Sequence, residues 1–161
     1  MISRSISTFV IAITLACLVL PSGHRVTAQA GTPIAVVVAL SFQATDISLA
    51  QLRRAFKGEP TDYGGARLVP FNYAPESPLR RTFDKSVLDM TAEQAGTYWV
   101  DRRIRGQGMS PRVVPAPPIM KAIVAKLPGG IGYVPADQVD GSVRVLTVDG
   151  KQLKAADYPV R

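Results

Sequence analysis

The side chains that most often carry protein chemistry are unevenly placed in this chain. Its single cysteine and single histidine, Cys17 and His24, both fall within the first thirty residues. That stretch reads as a removable export signal, so the chain after Ala30 holds neither type. Thiol nucleophiles, disulfides, Cys/His zinc sites, Ser-His-Asp triads and histidine pH switching are thereby excluded from the exported chain. What is left to engage a ligand is serine, arginine and the backbone amide. The segment Ser77-Pro78-Leu79-Arg80-Arg81 gathers all three. Ser followed by Pro is a strong helix start, with Ser as cap and Pro at the first helical position. First-turn N–H groups lack intrahelical partners and carry about half a positive charge, which suits an anion. Pro78 removes one of those donors. Arg80 and Arg81 can add a planar fork of donors to a tetrahedral oxyanion, or they can lie solvated at the surface. The residues alone leave both readings open.

A second basic group, Arg102, Arg103 and Arg105, follows a helical pattern and sits where the helix dipole favours cations. Its reading is either structural or a docking patch for an acidic partner or a lipid headgroup. The stretch Pro128-Gly129-Gly130-Ile131-Gly132-Tyr133 lacks the Lys-Ser/Thr end of a phosphate loop and precedes a strand, so it reads as a tight turn. Asp84, Asp89, Glu93 and Asp101 are scattered and show no metal-ligand spacing. No metal and no cofactor is expected, and neither is enzymatic activity, given the missing side chains.

The elements that must position these residues follow from pattern. Phe9 to Leu20 is an apolar run of 12 residues behind Arg4, broken by Pro21-Ser22-Gly23 and followed by Ala28-Gln29-Ala30. This fits a signal peptide cleaved after Ala30, and it is too short to span ~30 Å of hydrocarbon. Lipidation at Cys17 is the rival reading of the same stretch. Of 19 basic residues Arg4 and Arg25 leave with the signal, so residues 31–161 carry 17 basic and 12 acidic side chains, a net charge of +5. One domain with one small core is expected, periplasmic or secreted, and the positive balance fits either an anionic ligand or surface or charge for solubility alone.

Within it, Ile34 to Leu40 is a β-branched run suited to a strand buried on both faces. Ser48 and Gln51 form a capping box, with Ile47 and Leu52 as a staple, opening an amphipathic helix that Gly58 stops. Residues 67–73 read as a strand, demoted by Pro70 to an edge or a strand end. Helices are expected from Ser77, with Leu79, Phe83, Val87 and Leu88 inward, and from Thr91, with Ala95, Tyr98 and Trp99 inward. A Pro-rich connector covers 107–118, a helix 119–127, and strands 131–134 and 143–148. Asp149-Gly150 is a hairpin signal. Interleaved strands and helices argue for an α/β layered domain.

Taken in order, the strand IAVVVAL, the helix LAQLRRAFKGEP, the helix start SPLRRTF, TYW with a downstream RGQG, and LPGGIGYVP resemble a known family. They are similar to the C-terminal half of the phosphate-binding proteins of bacterial ABC importers, in the type 2 periplasmic binding superfamily. Leu52 to Gly58 and Pro128 to Val134 are the most specific pieces, and the resemblance runs from about residue 34 to 148. It implies a single three-layer lobe, a mixed sheet flanked by helices, where full-length members close two lobes on an anion. It also implies a non-catalytic binder of phosphate or a similar oxyanion at Ser77, Arg80 and Arg81. Ser77 matches the serine of the family's phosphate loop. Pro78 stands for its glycine, Leu79 for its threonine, Tyr73 for its arginine, and Glu76 falls near its acidic position. The alternative is an envelope interaction module working through Arg102, Arg103 and Arg105. A homodimer or an envelope protein is the partner expected in either case, and neither nucleic acid nor a stable membrane span is expected.

Overall fold

A computed structural model of the chain describes residues 32–161. The export signal, its cleavage after Ala30 and the Cys17 alternative lie outside the described residues. Strand β1, Ile34–Val38, is buried at every position, as its unbroken apolar run requires. It pairs antiparallel with β7, Gly130–Pro135, on one side and with β8, Arg144–Val145, on the other. β7 in turn pairs parallel with β5, Val69–Asn72, which pairs parallel with the short edge strand β6, Arg112–Val113. The five-stranded sheet therefore runs β6-β5-β7-β1-β8 and is mixed. Pro70 sits where β5 has met β7 but not yet β6, whose pairing starts at Phe71. A residue without an N–H is tolerated there because one flank is unpaired.

Helices cover both faces. Helix α4, Pro117–Lys126, packs on β7 and β1. It opens two residues earlier than its pattern suggests because Pro117 and Pro118 occupy the first turn, where no N–H is needed. Its approach depends on Gly132, since a Cβ there would stand 2.3 Å from Met120 Sδ. On the opposite face Tyr133 of β7 meets Phe56 of helix α1, Leu49–Phe56, and Phe83 of helix α2, Pro78–Phe83. The Phe83 and Tyr133 rings stack with centroids 3.8 Å apart, and Phe56 meets Phe83 at 4.7 Å. The domain is thus three layers, with the core on both sides of β7. This is the α/β architecture the interleaved pattern predicts.

Both capping boxes form, Ser48 with Gln51 at the start of α1 and Thr91 with Gln94 at the start of α3, Ala92–Ile104. Gly58 follows α1 at φ 75, the left-handed stop. Three expectations need correction. Helix α2 does not run on in α form, for Asp84–Leu88 winds as a π-helical turn that ends at Asp89 with φ 54. Residues 143–148 are two strands rather than one. Arg144–Val145 joins the main sheet, whereas β9, Thr147–Val148, leaves it to pair parallel with β2, Asp46–Ile47. Tyr98 is half-buried while Ala95 and Trp99 are buried, because the Tyr98 hydroxyl donates to the Lys57 carbonyl at 2.9 Å and stays at the rim. The hairpin signal survives as a single bridge, Val148 to Lys151, across Asp149 and Gly150 at φ 52 and 73. The small hairpin β3, Asp62–Tyr63, with β4, Ala66–Arg67, completes the fold. Among the described residues no helix is long and apolar enough to cross a membrane.

Candidate functional site

The end of β5 delivers Asn72 and Tyr73 to the mouth of α2, and both are buried. Asn72 Oδ1 accepts from the Tyr133 hydroxyl and from the Tyr73 N–H, and the Tyr73 hydroxyl donates to the Tyr133 carbonyl at 2.9 Å. These bonds hold the strand end rigidly beneath the helix start. Ser77 occupies the cap position with extended backbone, yet its hydroxyl makes no cap hydrogen bond. The expected serine cap is therefore positional only.

Arg80 is neither surface nor free. It is 5% exposed, donates from Nη1 to the Tyr73 carbonyl at 2.8 Å, and donates from Nε to Asp84 Oδ2 at 3.0 Å. Its Nη2 has no protein acceptor among the described residues. An Arg placed four residues before its acid is the weaker order for such a pair. Buried ion pairs give little net stability.

Asp84 is 2% exposed, and its Oδ1 is buried without a hydrogen-bond partner. Burial pushes the Asp84 carboxyl above its ordinary range, and the Arg80 guanidinium only partly offsets this. Burial also lifts the Tyr133 hydroxyl, helped by the Asp84 charge nearby. Arg80 and Asp84 together form one wall of a cavity of about 260 Å³. Ala92, Gly96, Trp99 and Arg103 of α3 form a second wall, and Ser110 with Val113 a third. Residues 92, 96, 99 and 103 share one helical face, and the small ones leave the space, for a Cβ on Gly96 would meet nothing within 4 Å.

The two predicted arginine groups thus meet only in part. Arg80 and Arg103 are brought to one cavity, while Ser77 and Arg81 lie outside its lining. Arg81 is exposed and donates back to the Glu76 carbonyl at 2.7 Å. Arg102 lies over the Tyr98 ring at 5.7 Å and donates to the Gln107 carbonyl at 2.6 Å. Arg105 pairs with Asp101 at 2.9 Å. Arg105 alone of the three has an acidic partner among the described residues, and Arg103 has neither an acid nor a carbonyl holding its side chain there. Asp84 and Ser110 are the members that sequence reasoning missed. For Asp84 the signal was its place four residues after Arg80; Ser110, inside a structureless connector, gave none.

Chemically the cavity offers cationic donors at Arg80 and Arg103, a hydroxyl at Ser110 and one acceptor at Asp84. That set matches a small anion that also carries a proton to donate. Among the described residues no cluster of three metal-ligating side chains occurs.

No family profile and no curated protein sequence matches the chain. Solved structures do. An ABC-type phosphate transport receptor from Vibrio cholerae superimposes with a TM-score of 0.60 at 18% identity, over 75% of this chain and 48% of that one. A protein described as a phosphate ABC transporter substrate-binding protein, from Clostridium perfringens and with bound phosphate, gives 0.61 at 21%, over 75% and 46%. PstS from Borrelia burgdorferi gives 0.61 at 14%, over 80% and 53%. The chain spans about half the length of these structures. Over that half it shares the fold of these three structures.

Proposed function

We propose that this chain is an exported, non-catalytic binding protein whose lobe takes phosphate or a similar protonated oxyanion in the cavity between α2 and α3. The observation that carries the reading is the buried Arg80–Asp84 pair with its unpartnered Asp84 Oδ1, facing Arg103 across the cavity. Arg80 Nη2, Arg103 and Ser110 donate to the ligand oxygens, and Asp84 Oδ1 accepts its proton. A fully deprotonated anion such as sulfate leaves Asp84 unsatisfied, so phosphate binds more tightly. The fold shared with phosphate receptors supports the same ligand class. Arg81, outside the lining, adds long-range positive potential to its approach, and Ser77 makes no direct contact with the ligand. One lobe leaves the anion partly in water, where each contact is weak. A second copy or a partner chain closes the cavity. The place of action is the periplasm or the exterior, reached by cleavage after Ala30.

Calorimetric titration of the exported chain with inorganic phosphate tests this reading. A saturable heat is expected, weakened roughly ten- to a hundredfold in Arg103→Ala by loss of a charge-assisted bond. Sulfate should bind more weakly. Absence of heat at concentrations on the order of millimolar phosphate, where even weak sites fill, overturns it. Mass measurement of the secreted form, with Gly31 as its first residue, checks the export step.

A further inference from the structure

Eight consecutive residues, Arg103 to Ser110, are exposed where α3 runs out toward β6. Among them Ile104 is 80% exposed and Met109 82%. Val100, one turn before Ile104, and Val113 in β6 are 51% and 54% exposed. Single exposed apolar side chains are ordinary, but four within residues 100–113 form a set. The same stretch holds Arg102, Arg103, Arg105 and Arg112 against one acid, Asp101. Gly106 and Gly108, at φ 66 and 105, turn the chain between the two most exposed apolar residues, with open space around both.

Open apolar tips rimmed by arginine are the pattern of a segment that lies in the interface of an anionic bilayer. The apolar tips enter the acyl boundary while the guanidinium groups stay with the headgroup phosphates. A second copy of the chain fits worse, since it would set eight arginines against two aspartates across the contact. A protein partner would need both acidic groups and preformed apolar pockets for two separate tips. A lipid surface supplies both properties without a pocket.

We propose that the end of α3 and the segment that follows it dock this protein on anionic lipid, with Ile104 and Met109 inserted and Arg105 and Arg112 on the headgroups. These four residues lie outside the lining of the oxyanion cavity, although Val100, Arg103 and Val113 of the same stretch belong to it, so the variants are confined to the four. The test is co-sedimentation of the exported chain with vesicles of phosphatidylglycerol and phosphatidylcholine, against vesicles of phosphatidylcholine alone. Binding is expected only to the anionic vesicles, and it should fall as salt rises. Arg105→Gln and Arg112→Gln should each weaken it about fivefold. Ile104→Ser with Met109→Ser should weaken it further while the circular dichroism spectrum and the heat of phosphate titration stay unchanged. Equal binding to both vesicle types, binding to neither, or binding indifferent to the Ile104/Met109 double variant overturns the proposal. So does tighter retention on immobilised polyglutamate than on the anionic vesicles, which would assign the surface to an acidic polypeptide instead.

Discussion

Arg80 and Asp84 stand one helical turn apart and meet Nε to Oδ2 at 3.0 Å, with side chains only 6% and 3% exposed. Removing one partner strands a charge in the core, whereas removing both leaves space that apolar groups can fill. Asp84→Ala should therefore cost about 3–5 kcal/mol in urea unfolding. Arg80→Met combined with Asp84→Leu should fall within about 1 kcal/mol of the parent protein, or above it, while giving no heat with phosphate. A double variant as unstable as the single one would make the pair a folding device and remove the main argument for the cavity.

Gly129, in the turn before β7, and Gly132, inside that strand, should respond differently to alanine. At Gly129, φ is 78 and an added Cβ would stand 2.1 Å from the Arg67 carbonyl oxygen, a backbone atom that cannot swing away. Gly129→Ala should destabilise by more than about 3 kcal/mol, from strain and overlap together. At Gly132 the obstacle is Met120 Sδ at 2.3 Å, on a flexible side chain. Gly132→Ala should cost about 1–3 kcal/mol, and Met120→Val should recover part of that loss. Equal losses in urea midpoint for the two alanine variants would contradict this division.

The parts of this molecule legible from sequence are those fixed within a few residues. Ser48 and Thr91 cap their helices because the glutamine that completes each box lies three positions on. The β1 strand is readable because no solvent-facing residue interrupts its apolar run. The site was less legible because its geometry depends on winding. Arg80 is drawn inward by the carbonyl of Tyr73 and by Asp84, at the point where helix α2 passes into the π-helical turn. No periodicity announces that change. Likewise Arg102, Arg103 and Arg105 look equivalent as a run, yet a tyrosine ring, a cavity and an aspartate receive them separately. Residues 143–148 alternate like one strand, but the β2 segment takes the second half away.

Three of the five tyrosines are buried with hydroxyls held above their ordinary value of 10.0 by loss of solvent: Tyr73, Tyr133 and Tyr158, the last pushed up to about 12. A raised folded value favours the neutral form in the folded state. The resulting stability is fully present below pH 10 and is lost as pH rises toward and through the folded values. Tyrosinate absorbance should therefore rise in two stages, the second coinciding with loss of the circular dichroism signal. Tyr158→Phe should shift that second stage to higher pH, since phenylalanine keeps the buried ring and has no hydroxyl to ionise. A single absorbance step completed before any unfolding would contradict the burial of these hydroxyls.

Asp149 joins two distant parts of the chain, and its contributions can be separated by substitution. Its Oδ1 accepts from the Leu49 N–H at 2.9 Å, adding a second acceptor to the α1 start beside the Ser48 box. Its backbone sits at φ 52, a conformation that asparagine and glycine tolerate and alanine resists. Asp149→Asn keeps both an acceptor oxygen and the backbone preference, so it should cost a few tenths of a kcal/mol, chiefly the charge at the helix start. Asp149→Gly keeps the backbone and loses the acceptor, for about 1 kcal/mol. Asp149→Ala loses both, for about 2 kcal/mol. The predicted order of urea midpoints is Asp, Asn, Gly, Ala. Glycine equal to aspartate would mean that the Leu49 bond contributes nothing, and alanine equal to glycine would mean that the turn at Asp149-Gly150 holds no strain.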